Sequence, residues 1–276
     1  MKEKSIQELL NFGIINIDKP AGPTSFSVTD FIRKSLGVNK TSHMGTLDPA
    51  VTGVLPILTG RACRLSDYFM HKDKTYVGVM RLHEKIKINE LEKTIERFIG
   101  KITQLPPVRS RVKRAERQRE VKTFKILEIN GKDILFETQV QAGTYIRKLI
   151  HDIGLEIGGA HMLELRRIKA GIFTEEKLVN LYDFEKAAEE YKKGNEEQLK
   201  KIIISAEEAI KKVLPAVQIT EINLKQLLTG KPLMKNDVFS EIKDEKFAAF
   251  AREKFIGVYK KSEEKDIVAK PEFVFN

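Results

Sequence analysis

Phe124-Lys125-Ile126-Leu127-Glu128-Ile129-Asn130-Gly131-Lys132-Asp133-Ile134-Leu135-Phe136-Glu137-Thr138-Gln139-Val140 decides the fold class. Two strand-like runs, 124–129 and 134–140, are joined through Asn130-Gly131, the strongest short-range signal for an antiparallel hairpin. A doubly wound sheet would need helical crossovers at this point. Strands and helices are interspersed along the rest of the chain, so the pattern predicts an α+β fold. The expected architecture is a mixed, largely antiparallel sheet flanked by helices.

N-terminal to the hairpin, residues 13–18 read as a short strand, with Ile15 and Ile17 on one face. Lys19-Pro20-Ala21-Gly22-Pro23-Thr24-Ser25 breaks it, because two prolines and a glycine cannot continue a ladder. Thr24 or Ser25 can cap a helix carrying Val28, Phe31, Ile32 and Leu36, which Gly37 ends. A turn-rich stretch over 40–60 leads to an alternating strand around Lys74–Leu82, and Asn89 is placed to cap a helix that stops at Gly100. C-terminal to the hairpin, a helix is predicted from about Thr144, its buried stripe formed by Ile146, Leu149, Ile150, Ile153 and Ile157. Residues 175–213, dominated by Ala, Glu and Lys, read as helical. After Leu214-Pro215 the pattern changes to short strands, a small helix ending at Gly230 and a strand over 267–275. These features predict two domains, 1–213 and 214–276.

The chain has 276 residues, of which 41% are hydrophobic, enough for a sizeable core. It has no apolar run of membrane-spanning length, and Met1-Lys2-Glu3-Lys4-Ser5 is charged rather than signal-like. A single cysteine, Cys63, excludes a disulfide framework and a Cys-based zinc site, which points to a reducing cytoplasm. Lys and Arg number 49 against 39 Asp and Glu, a net charge of +10. That balance suits a polyanion, because cations that neutralise phosphates release condensed counterions. It equally suits a solvated charged surface. The run 109–122 separates the two readings: Arg109, Arg111, Lys113, Arg114, Arg117, Arg119 and Lys122 face only Glu116 and Glu120. Acids are too few there to balance the charge locally, so the run reads as a phosphate-tracking surface.

His43-Met44-Gly45-Thr46-Leu47-Asp48-Pro49-Ala50-Val51-Thr52-Gly53 is too apolar for a solvated loop and too rich in Gly and Pro for a regular element. Pro49 restricts Asp48 to extended backbone. A carboxylate fixed on such a turn suits a nucleophile or base, and an Asp-Pro turn initiator fits the same residues. Ala142-Gly143-Thr144-Tyr145-Ile146-Arg147 marks a strand-to-helix junction. Arg147 lies off the apolar stripe, where it could face and orient a buried carboxylate or simply be a surface arginine. Tyr76, on the alternating strand, could stack on a base or pack in the sheet. No P-loop, dinucleotide fingerprint or paired histidines occur, so a metal site is not expected.

Taken in order, these segments resemble the TruB family of pseudouridine synthases. The likeness runs through Asp18-Lys19-Pro20, Gly22, Thr24-Ser25, then His43, Gly45-Thr46-Leu47-Asp48-Pro49, Thr52-Gly53, Lys74, Tyr76, Gly143 to Arg147, and Leu165-Arg166-Arg167. It covers nearly the whole chain. Within the family, Pro106-Pro107, Ser110, Val112-Lys113-Arg114 and Gly159-Ala160-His161-Met162 are similar to the archaeal dyskerin-like branch, the catalytic subunits of H/ACA ribonucleoproteins. The tail is similar to a PUA domain, a small RNA-binding β-barrel.

The resemblance implies an RNA enzyme, without a cofactor, that isomerises uridine to pseudouridine. Its substrate would be the TΨC-loop uridine of tRNA, or rRNA presented by an H/ACA guide RNA with small partner proteins. It further implies Asp48 as the catalytic residue, His43 in the place of the flipped base, and Tyr76 stacked on the uracil. Arg147 would pair with Asp48, and Tyr145 and Leu165 would contact substrate. Lys19 and Pro20 would shape the site. The alternative is a non-catalytic RNA-binding scaffold, for which a buried carboxylate has no use.

Overall fold

The computed structural model describes residues 4–106, 114–239 and 241–276. Eleven strands form one mixed sheet: β1 (Gly13–Lys19), β2 (Thr41–His43), β3 (Thr52–Thr59), β4 (Lys74–Leu82), β5 (Gly100–Gln104), β6 (Arg117–Asn130), β7 (Asp133–Val140), β8 (Ala160–Ala170), β9 (Phe173–Thr174), β10 (Val179–Asn180) and β11 (Ile203–Ser205). The main order is β10-β1-β3-β8-β4-β7-β6-β5, with β11 on β1, β2 on β3 and β9 on β8. Pairing is antiparallel except for β1 with β10 and β3 with β8. The expected α+β class holds.

The hairpin forms as read: β6 and β7 pair to Asn130↔Asp133, and Gly131 at φ 62° makes the turn. The helix Ser25–Leu36 is capped by the Thr24 hydroxyl, which accepts from the Ser27 N–H at 3.0 Å, and Gly37 closes it at φ 65°. Three expectations are corrected. Asn89 is not a cap: the helix runs Ile88–Arg97, and the Lys87 carbonyl already takes the amides of Glu90 and Leu91. The helix expected from Thr144 starts at Ile146, because Thr144 closes a turn onto the Gln141 carbonyl with both its N–H and its hydroxyl.

Residues 175–213 are not continuously helical. β10 precedes helix Leu181–Lys192, and β11 separates helix Glu197–Ile202 from helix Ala206–Lys211; both strands pair with β1. Backbone N–H and C=O groups along β1 need partners, and these short segments supply them. The β-branched run Ile202-Ile203-Ile204 suits that role.

The C-terminal part forms a second sheet from β12 (Ala216–Gln218), β13 (Leu233–Met234), β14 (Lys246–Ala251), β15 (Lys254–Lys261) and β16 (Ile267–Val274), in the order β12-β14-β15-β16-β13. A bridge between Ile219 and Val238 joins the two ends of this order, giving a small barrel-like unit. It is fused to the larger one by a shared core. Phe12 stacks on Phe275 at 4.1 Å and on Phe255 at 5.5 Å between ring centroids, within one buried cluster.

Candidate active site

The centre of the large sheet, β3-β8-β4, carries the residues that the sequence singled out. Asp48 sits on the turn entering β3, and the peptide groups of Leu47, Pro49 and Val51 beside it are tied down. The buried Ser25 hydroxyl accepts from the Leu47 N–H and donates to the Leu47 carbonyl, both at 2.8 Å. The Val51 N–H donates to the Asp48 carbonyl at 3.0 Å, closing the turn, and the Gly22 N–H donates to Pro49 O at 2.9 Å. Lys19 completes the clamp. Its ammonium, fully buried, donates to the carbonyls of Pro20, Pro49 and Val51 at 2.8, 3.0 and 2.9 Å. All three N–H donors are therefore spent on backbone. Burial pulls the Lys19 pKa down, and the Asp48 charge opposes that shift.

Asp48 itself is half exposed rather than buried, which corrects the expectation of a buried carboxylate. The apolar neighbours that suggested burial, Met44, Leu47 and Val51, turn into the core and leave the carboxylate at the surface. There Arg147 meets it, with Nη2 2.6 Å from Asp48 Oδ2. Arg147 is presented from the first turn of helix Ile146–Leu155, whose start is fixed through Tyr145. The Tyr145 N–H donates to the side chain of Gln104 at 3.0 Å, and the Gln104 amide returns a bond to the Tyr145 carbonyl at 3.2 Å. Gln104 is buried at 2% exposure, and sequence reasoning missed it because a lone glutamine on a strand carries no local signal.

A second missed residue is Arg167. It is 1% exposed, and its guanidinium donates to Val54 O at 2.7 Å and to Gly45 O at 2.9 Å. Burial lowers its pKa, and the nearby Tyr76 side chain counters that. Gly53, at φ 100°, allows the close passage: a Cβ there would stand 2.2 Å from the Arg167 carbonyl. Tyr76 is itself buried on β4, registered opposite Arg167. Leu165, two residues from Arg167 and thus on the same face of β8, pairs with Gly78 and is buried. The neighbouring Arg166 makes a bidentate pair with Asp18 at 2.9 and 3.1 Å.

His43 joins this group from β2. The Thr29 hydroxyl gives its one proton to the Ser25 carbonyl at 2.7 Å, so it accepts from His43 Nδ1–H at 3.2 Å. In the neutral ring Nε2 then accepts from the Thr46 hydroxyl at 3.0 Å. Burial first, and Arg167 second, depress the His43 pKa, which favours that neutral tautomer. Lys74 lies below, its pKa lowered to about 8 by burial and by Arg167. Lys19 lies within electrostatic reach of Asp48, and Lys74 and Arg167 lie close to one another beside Gly45. Buried cations of this kind favour an anionic partner, and the oriented carboxylate can act as base or nucleophile.

The described part of the basic run reaches the turn that leads to Arg147. Arg114 is exposed, Arg117 and Arg119 are on β6, and Lys122 is paired with Asp73 at 2.6 Å. Arg119 passes beneath Gly143, where a Cβ would approach its Nε to 3.1 Å, two residues before Tyr145. Arg109, Arg111 and Lys113 fall outside the described residues.

Comparison with known proteins gives a consistent pattern. The family described as TruB family pseudouridylate synthase (N terminal domain) matches residues 33–146, and tRNA pseudouridylate synthase B C-terminal domain matches 147–211. A probable tRNA pseudouridine synthase B of Nanoarchaeum equitans is 47% identical over 210 residues, covering 75% of this chain and 60% of the relative. One from Methanothermobacter thermautotrophicus is 41% identical over 238 residues, covering 86% and 73%. The chain spans about three fifths of the length of several such curated relatives. Among solved structures, a Cbf5-Nop10-Gar1 complex matches with a TM-score of 0.90 at 37% identity, covering 100% of this chain and 88% of that one. An H/ACA RNP bound to a substrate RNA containing 2′-deoxyuridine matches with a TM-score of 0.88 at 35% identity, covering 100% and 88%.

Proposed function

The chain belongs to the TruB family of pseudouridylate synthases, and on that premise we propose that it isomerises uridine to pseudouridine in RNA, with Asp48 as the catalytic carboxylate. The observation that carries this reading is the Asp48–Arg147 pair, set on a turn held by the Ser25 hydroxyl and the Lys19 ammonium. In the reaction the C1′–N1 bond breaks, the uracil turns in the site, and a C1′–C5 bond forms. The proton displaced from C5 leaves and N1 gains one, so no net redox change or hydrolysis occurs. A target base must leave its stack to reach Asp48. Tyr76 and Leu165 contact the uracil, His43 occupies the place it vacates, and Arg147 holds Asp48 in line.

Residues 1–213 form the catalytic domain, and 214–276 serve as an RNA-binding unit of the PUA type. Arg109, Arg111, Lys113, Arg114, Arg117 and Arg119 follow the RNA backbone. The H/ACA likeness supports rRNA presented by a guide RNA, with small H/ACA proteins as partners. The names of the curated relatives support tRNA. No described helix is long and apolar enough to cross a membrane. The one described cysteine, Cys63, is a buried free thiol, which fits a cytoplasmic protein.

The test is pseudouridine formation on an unmodified tRNA transcript by the purified chain and by Asp48→Asn. Conversion by the wild type alone assigns a self-sufficient tRNA enzyme. Conversion that appears only with guide RNA and small H/ACA proteins assigns a guided one. Conversion retained in Asp48→Asn removes Asp48 from its role.

A further inference from the structure

Phe26 is 71% exposed, although it is the second residue of a well-capped helix beside the candidate site. Isolated surface apolar residues are common and by themselves mean nothing. Three features set this one apart. Its neighbour Ser25 grips both backbone groups of Leu47, the residue before Asp48. One turn on, Thr29 holds the His43 ring. The helix edge bearing Phe26 therefore borders the face that lines the Asp48 turn. The mounting is also rigid, because Thr24 caps the helix and Gly22 is bonded to Pro49.

The third feature is the charge farther along the helix. Positions 26, 30, 33 and 34 fall on one stripe at helical spacing. Arg33 and Lys34 both pair with Asp30, at 2.8 and 2.7 Å, and their side chains stay 40% and 69% exposed. From Phe26 to Arg33 the helix rises about 10 Å, at roughly 1.5 Å per residue. A rigid aromatic ring at the edge of a site, continued by cations, is how single-stranded RNA is held: bases stack on the ring and phosphates run along the charges.

We infer that Phe26 is a stacking platform for the nucleobase next to the target uridine. The inference rests on the reading that this chain acts on RNA. Stacking uses the π-face that every base offers, so the platform holds the flanking nucleotide without selecting its identity. Fixing that nucleotide leaves the uridine as the one free to swing toward Asp48.

The experiment uses an unmodified TΨC-arm stem–loop carrying 2-aminopurine immediately 5′ or 3′ of the target uridine. The full chain and Phe26→Ala, Phe26→Leu and Phe26→Trp are compared. The wild type is expected to quench one of the two probes. Phe26→Ala and Phe26→Leu should lose the quench and weaken binding about five- to hundredfold, while Phe26→Trp restores both. The loss should appear in KM rather than kcat. Unchanged binding and fluorescence in Phe26→Ala would overturn the inference, as would full rescue by leucine, which is apolar but has no π-face. Pseudouridine is assayed in the same samples. Quenching without conversion rejects self-sufficient turnover of tRNA and keeps the platform, whereas conversion without quenching rejects the platform alone.

Discussion

The ammonium of Lys19 donates to the carbonyl of Pro49 at 3.0 Å, so a fully buried cation fixes the peptide unit next to Asp48. Replacing Lys19 by Met leaves the carbonyls of Pro20, Pro49 and Val51 without that donor, and an unsatisfied buried polar group costs about 1–3 kcal/mol. Lys19→Met is expected to lower the unfolding free energy by roughly 2 kcal/mol or more in urea titrations. Turnover should fall as well, because the Asp48 turn loosens. Unaltered stability with lost activity would make Lys19 a chemical participant instead of a clamp.

Arg147 and Asp48 are both about half exposed, so their ion pair contributes little to stability, about 0–1 kcal/mol. Its contribution to positioning is larger. Arg147→Ala should leave the urea midpoint nearly unchanged and reduce kcat on the order of a hundredfold, the usual result of misplacing a reacting group by an ångström. Arg147→Lys keeps the charge and loses the planar fork, so it should recover only part of the rate. A large drop in stability for Arg147→Ala would contradict this assignment.

Lys74 provides a pH test. Its pKa falls from 10.5 to about 8 in the folded chain, mainly through burial and next through Arg167. Between those values the unfolded chain binds more protons than the folded one, so stability rises with pH across that window. The contribution is complete above about 10.5 and is lost as pH falls through about 8. Urea titrations of wild type against Lys74→Met should therefore diverge in slope between pH 8 and 10.5. Parallel curves would show that Lys74 is not desolvated.

Arg114 and Arg119 are assigned to the RNA backbone. Each phosphate contact steepens the dependence of log K on log salt by about 0.7 to 0.9. Arg114→Ala and Arg119→Ala should each flatten the slope by about that amount in filter binding at graded salt. A slope that stays constant while affinity drops would indicate a local structural effect, most plainly for Arg119, which supports the Gly143 turn.

Several of these relationships were legible in the sequence, and the physical reasons differ. The hairpin was local: Asn130-Gly131 dictates its own turn. The meeting of Asp48 and Arg147 was anticipated from ordered motifs rather than from spacing, and the geometry brings them to 2.6 Å. Arg167 and Gln104 were illegible in their roles because their partners are backbone atoms of distant segments, and a carbonyl leaves no mark on a sequence. The short strands β10 and β11 were hidden for a related reason. Their Lys/Glu-rich surroundings favour helix, and only the vacant positions beside β1 draw them out of it.

The aromatic stack around Phe12 has a kinetic consequence. Phe12 leaves the ribosome early, but Phe255, Phe273 and Phe275 leave it far later. The strands β10 and β11 also arrive late. Pairings this distant in sequence form late, and folding dominated by remote contacts is slow. Until the aromatic strands of the C-terminal sheet emerge, Phe12 lacks its stacking partners even though β1 already has β3 to pair with, and an aromatic left open in this way invites transient chaperone association.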